Sequence, residues 1–268
     1  LPDVVVSAGT RRFNTTRIAG AYTQSGGDCV LNSGATLTID GAAQFQAGTV
    51  GAAGAGTQTI VLNGPTTMNA APNTSFAQLT IRCASDWTSG PAFVPPTGTV
   101  RFDGAGAAQI SGTLELFTVD IQQGIKTVQS PLHARGSLTV TSGALVAGAP
   151  LDIDGSLTVQ AGASLDLGGQ AHHVGGSWIS NSATATVTGT GSVEFDSSGT
   201  TFTGTTTLPA VTVSAGVRNW NHSTITGDLT QTGGQSLLLA NVTLAVHGNA
   251  NFSGGTLGAG SGSPAVLD

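Results

Sequence analysis

Three aspartates, Asp152, Asp154 and Asp166, are the residues of this chain best placed to do chemistry. Side chains two positions apart on an extended strand point the same way. Asp152 and Asp154 are therefore expected as neighbours on one outward face, with Asp166 on an adjacent strand. Paired carboxylates can cleave a glycosidic bond, or they can share a calcium ion. The opposing reading is stronger. Asp154-Gly155 is an ordinary turn dipeptide, and outward aspartate is normal on a strand's wet side. Polysaccharide elimination would also want a cation close by, and Arg135 is the one Lys or Arg between Lys126 and Arg218. The expectation is solvated carboxylates, with no catalytic residue, no metal ligand and no cofactor.

Other chemistry is weaker still. His172 and His173 are adjacent, so on a strand they face opposite ways and cannot grip one ion together. His133, His222 and His247 are scattered, and no HExxH or similar ligand spacing occurs. Gly-Xaa-Gly patterns such as Gly54 to Gly56 open no helix, so they offer no phosphate cradle. Cys29 and Cys83 belong to no CxxC; the alternatives are buried free thiols or, in an oxidising compartment, a disulfide between neighbouring coils. A basic cluster, Arg11, Arg12 and Arg17, stands out in a chain with only eight Lys and Arg. It reads as a solvated cap over the first coil, with contact to an acidic neighbour as the alternative.

Composition narrows the class. The 268 residues include 40 glycines, only 8% are charged and only 5% aromatic, whereas an ordinary globular chain is about a quarter charged. Yet 39% are hydrophobic, too many for a disordered tail, and they alternate with Ser and Thr instead of clustering. A formal net charge of −6 leaves no basic surface for nucleic acid or for an anionic membrane. No apolar run approaches the length of a membrane-crossing helix. The chain begins at Leu1, which is compatible with a removed signal peptide.

The positioning elements are short strands that start about every seven to nine residues, separated by Gly-Ala, Asn-Gly or Asp-Gly corners. Leu37-Thr38-Ile39 shows the alternation: two apolar side chains inward, one polar side chain outward. No window supplies the three- and four-residue steps of a helix. The order of residues also recurs at long range. GTVRFDG at Gly98 to Gly104 returns as GSVEFDS at Gly191 to Ser197, and Val119-Asp120-Ile121 returns as Val211-Thr212-Val213. The expected fold is all-β: a single-stranded parallel β-solenoid, specifically a right-handed β-helix of roughly ten coils, spanning 1–268 as one domain. Within it, 1–17 form an N-terminal cap or end contact. Residues 68–96, with Pro72, Pro91, Pro95 and Pro96, form a loop insertion leaving the wall, because proline cannot donate to a ladder. Residues 98–255 hold the most regular coils, and 256–268 form a C-terminal tail. Trp178, Phe195, Phe202, Trp220 and Phe252 are expected to fill the interior or cover a seam.

At GTVRFDGAGAAQISG (Gly98 to Gly112), followed by Phe117 to Ile121 and Gly136 to Val140, the chain resembles the β-helical repeats of large secreted bacterial surface proteins. These are the filamentous-haemagglutinin-like and autotransporter-passenger-like adhesins and fibre proteins. The resemblance implies an extracellular, cell-surface stalk, fibre or adhesin without a cofactor. On this reading the chain is not an enzyme. Its partners are a surface glycan or host receptor and further copies of itself, joined head to tail through Arg11, Arg12 and Arg17 at one end and Ala265, Val266 and Leu267 at the other. The rival readings are a polysaccharide lyase or glycoside hydrolase, or a phage-like tailspike, on the same scaffold, and a non-catalytic glycan-binding module.

Overall fold

The computed structural model describes residues 1–268 except 55, 73–78, 96, 181–183, 198–201 and 260–265. Every strand pairing in it is parallel, and the described residues contain no helix. The chain is a parallel β-solenoid of about 12 coils. Its contacts divide it into two compact units, Leu1–Leu132 and His133–Asp268.

In the first unit each coil lays strands on successive walls. One wall runs from Val4–Val6 to Ile125–Val128, a second from Thr10–Phe13 to Ala71–Pro72, and a third from Thr16–Ile18 to Thr118–Ile121. The strands are three to five residues long in most coils because each must turn a corner before the next wall. Their alternation is what stacks. On the third wall Ile18, Ile39, Leu62, Cys83, Phe102 and Ile121 lie in register, one above another, and all are buried. Each such side chain removed from water contributes about 1.5–3 kcal/mol, and a column of them is the core. The outer side of this wall carries the charges. Arg82 stands directly opposite Arg101, a like-charge juxtaposition that each relieves by turning to a carboxylate. Arg82 reaches Asp103 at 2.5 Å and Arg101 reaches Asp120 at 3.0 Å, while Arg17 holds Asp40 at 2.7 Å.

Segment 68–96, expected to leave the wall, instead supplies strands to it. Leu79–Cys83 pairs with Gln58–Leu62 and Thr99–Phe102, and Trp87–Ser89 pairs with Thr66–Met68 and Ala108–Gly112. Pro72 is tolerated because Ala71–Pro72 is the outermost strand of its sheet, with the ladder on one side only. Trp87 is buried inside, edge-on to Phe93 and Phe102 at 5.7 and 6.1 Å. The chain has about 12 coils where roughly ten were expected. Residues 1–17 likewise hold strands of the first coil, with Val6 and Phe13 buried.

The second unit repeats the arrangement. One wall begins with Ala144–Ala147 and Ser164–Asp166. A second runs from Leu151–Ile153 to Ala250–Phe252, and a third includes Leu138–Val140, Leu157–Val159 and Trp178–Ser180. Its interior is wide enough for aromatic rings. Trp178, Phe195, Phe202 and Trp220 are all buried as expected, and Phe202 stacks on Trp220 with centroids 4.3 Å apart at 16°. Phe252, near the last coil, is 38% exposed.

The two cysteines are buried free thiols, not a disulfide. Cys29 lies on the second wall and Cys83 on the third, with the coil of Gln58–Leu62 between theirs. Two steps of about 4.8 Å plus the change of wall exceed what an S–S bridge spans. Burial pushes the Cys29 thiol up to about 12, so neither nucleophile nor metal ligand is offered there.

Candidate functional site

Among the described residues, the one close group of three His, Asp, Glu or Cys donors lies on the outer side of the second wall of residues 133–268. It arises from simple parity. In Leu132–Ala134 the flanking apolar residues are buried and His133 points out; in Leu151–Ile153 the same rule sends Asp152 out, and Asp154 follows on the same side. Adjacent strands of the sheet bring these together. His133 Nε2 lies 3.2 Å from Asp154 Oδ1 and 4.0 Å from Asp152 Oδ2. Their three donor atoms all fall within 4.8 Å of one another. Asp152 and Asp154 are half exposed (55%) and the His133 ring is half buried.

The next strands continue the ladder. Asp152 stands opposite His173, and His173 stands opposite Glu194. His173 Nδ1 lies 3.7 Å from Glu194 Oε2 and 3.6 Å from Asp196 Oδ2. The wall thus shows the same small unit twice: one imidazole facing two carboxylates that sit two residues apart on a neighbouring coil.

The other sequence candidates are dispersed. Asp166 ends Ser164–Asp166 on a different wall, where its Oδ1 accepts the Gly168 N–H, so it does not join Asp152 and Asp154. His172 faces inward, opposite to His173, as its parity requires. Its Nδ1 accepts from the Leu151 N–H at 3.1 Å, and its Nε2 lies 2.8 Å from the Leu167 carbonyl oxygen. An Nδ1 that accepts carries no proton, and burial lowers the pKa of the ring in the same sense. Arg11 and Arg12 are exposed, as are Val266 and Leu267 at 49% and 39%; Ala265 lies outside the described residues. A groove lined by Ala185, Thr186, Val187 and Thr205 to Thr207 carries no titratable side chain.

Two functional-looking residues were missed in the sequence. Lys126 and Arg218 are fully buried. Parity announces both: Val128 and Trp220 are inward, so the residues two places before them must be too. The Lys126 ammonium donates to the carbonyls of Gly104 and Gly106 at 2.7 and 2.8 Å. The Arg218 guanidinium donates to Gly176 at 2.6 Å, Ser197 at 2.7 Å and Gly175 at 3.2 Å, and lies 4.7 Å over the Phe195 ring. Both cations tie corner carbonyls together inside the stack and present nothing to solvent.

Chemically, then, the surface offers imidazole and carboxylate donors to a cation, on a wall and not in a cleft. Comparison with protein-family models, with curated proteins and with solved structures found no match.

Proposed function

We propose that this chain is an extracellular structural or adhesive element, a stalk or fibre subunit, and that catalysis is not its role. The observation that carries this reading is the ladder architecture itself. Coil after coil is hydrogen-bonded in register to the next, around a buried column and behind walls of short polar side chains. Such a stack resists bending within each unit and displays its walls repetitively, which suits spacing and adhesion. The 8% charge content and the outward Ser, Thr and Asn suit a hydrated surface outside the cell, and the net charge of −6 disfavours nucleic acid as a partner. Exposed Arg11 and Arg12 on the first coil, and Phe252, Leu257, Val266 and Leu267 on the last coils, lie where further coils would stack, whether of this chain or of another copy.

Electron microscopy over a concentration series, with a glycan array and a panel of acidic and neutral polysaccharides, tests the reading. Expected are end-to-end assemblies or saturable glycan binding, with no cleavage. Turnover of any polysaccharide that disappears in Asp152→Asn and Asp154→Asn would replace this reading with that of an enzyme.

A further inference from the structure

We propose that His133, Asp152 and Asp154 form a binding site for a divalent transition-metal ion of the zinc type. This inference goes beyond the structural reading above and does not depend on it. One imidazole and two carboxylates are a donor set that suits borderline cations, whereas calcium prefers an all-oxygen shell. Zinc takes imidazole nitrogen and carboxylate oxygen at about 2.0–2.2 Å, so donor atoms sharing one ion lie about 3–3.5 Å apart. The His133–Asp154 separation of 3.2 Å is already there, and the 4.0 Å to Asp152 closes by a small rotation of a half-exposed carboxylate. Two adjacent strands of one wall, Leu132–Ala134 and Leu151–Ile153, carry His133 and Asp152 and lead directly into Asp154, so little chain entropy is lost on binding. Three protein ligands leave coordination positions for water or for an incoming oxygen ligand.

The second imidazole, His173, provides an internal comparison. It too faces two carboxylates, at 3.7 and 3.6 Å. Among the described residues, however, the His133 group is the one whose three donors mutually lie within 4.8 Å. The structure thus assigns the ion to the first group and not to the second.

Calorimetric titration of the chelator-stripped full chain with zinc chloride tests the assignment. Saturable binding is expected, weakened about tenfold or more by His133→Ala and by the Asp152→Asn/Asp154→Asn pair, and changed less than about twofold by His173→Ala. Circular dichroism of each variant checks that the wall is intact. On the unmodified protein, zinc should protect His133 from diethylpyrocarbonate while His173 and His222 remain reactive, a readout that needs no variant. Absence of saturable zinc binding, a titration unaffected by His133→Ala, loss on His173→Ala instead, tighter calcium than zinc binding, or unprotected His133 would each overturn the site.

Discussion

Two inward polar residues of the second unit set its most sensitive single-residue responses. Among the described residues the Arg218 guanidinium donates to carbonyls and to no carboxylate; burial lowers its pKa to about 10, and the Asp196 charge partly offsets that. It stays charged at neutral pH because corner carbonyls and the Phe195 face replace its water. Arg218→Met should therefore cost on the order of 3 kcal/mol, since several buried carbonyls lose their donor at once. Arg218→Lys should recover only part of it, lacking the planar fork. Urea unfolding midpoints measure both; a Met variant as stable as the parent would show that those carbonyls find other donors. His172 gives the pH response. Its folded pKa lies below the ordinary 6.5, chiefly through burial, so between the two values the unfolded chain binds more protons than the folded one. Its contribution to stability is thus full above about pH 6.5 and is lost as pH falls through the folded value. Unfolding at about pH 7.5 and about pH 5.5 should show lower stability at the acid end. His172→Gln, which keeps a donor and an acceptor but cannot be protonated, should remove most of that difference.

Strands obey a period of two, which is why the elements were readable and why their failures are informative. In Leu157–Val159 the outer residues are buried and Thr158 is not. Leu157→Glu should unfold the second unit locally, while Thr158→Glu should stay within about 0.5 kcal/mol of the parent, as thermal denaturation would show. Equal effects would mean that the strand's parity is wrong. Corners are just as strict where a positive φ and a close coil coincide. Gly48 sits at φ +85°, and a Cβ there would collide with the carbonyl oxygen of Gly27 one coil below. Gly48→Ala should destabilise by about 1 kcal/mol or more, from the backbone strain alone. The same parity set His172 and His173 on opposite faces, as the structure has them, and would have placed Lys126 inside. The proline rule failed at 68–96 because it assumes an interior strand, and sequence does not say that Ala71–Pro72 lies at an edge. The His133 group was illegible for another reason: Leu138 pairs with Leu157, and Leu157 with Trp178, so successive coils differ in length. Which outward residues become neighbours depends on that unequal spacing.

Across the whole chain, the long-range similarity that revealed the solenoid is one of strand chemistry and not of coils. Thr99–Phe102 and Ser192–Phe195, the two copies of one motif, belong to different sheets. A repeat that does not divide into whole coils cannot carry a site from one copy to the other, but it does preserve the rule that each coil meets only the next. Stability should then propagate by nearest neighbours. Leu157 provides the test inside the second unit. Leu157→Ala removes about 2–5 kcal/mol of packing at a position in register with Leu138 on one side and Trp178 on the other. Hydrogen exchange should show the largest loss of protection in Leu138–Val140, Leu157–Val159 and Trp178–Ser180. It should fade along the stack, leaving Gln235–Leu238, which pairs only with Val217–Trp220 and Thr256–Ala259, near its parental rate. A uniform loss throughout residues 133–268 would show instead that the aromatic column, with Phe202 against Trp220, couples those coils into one cooperative block.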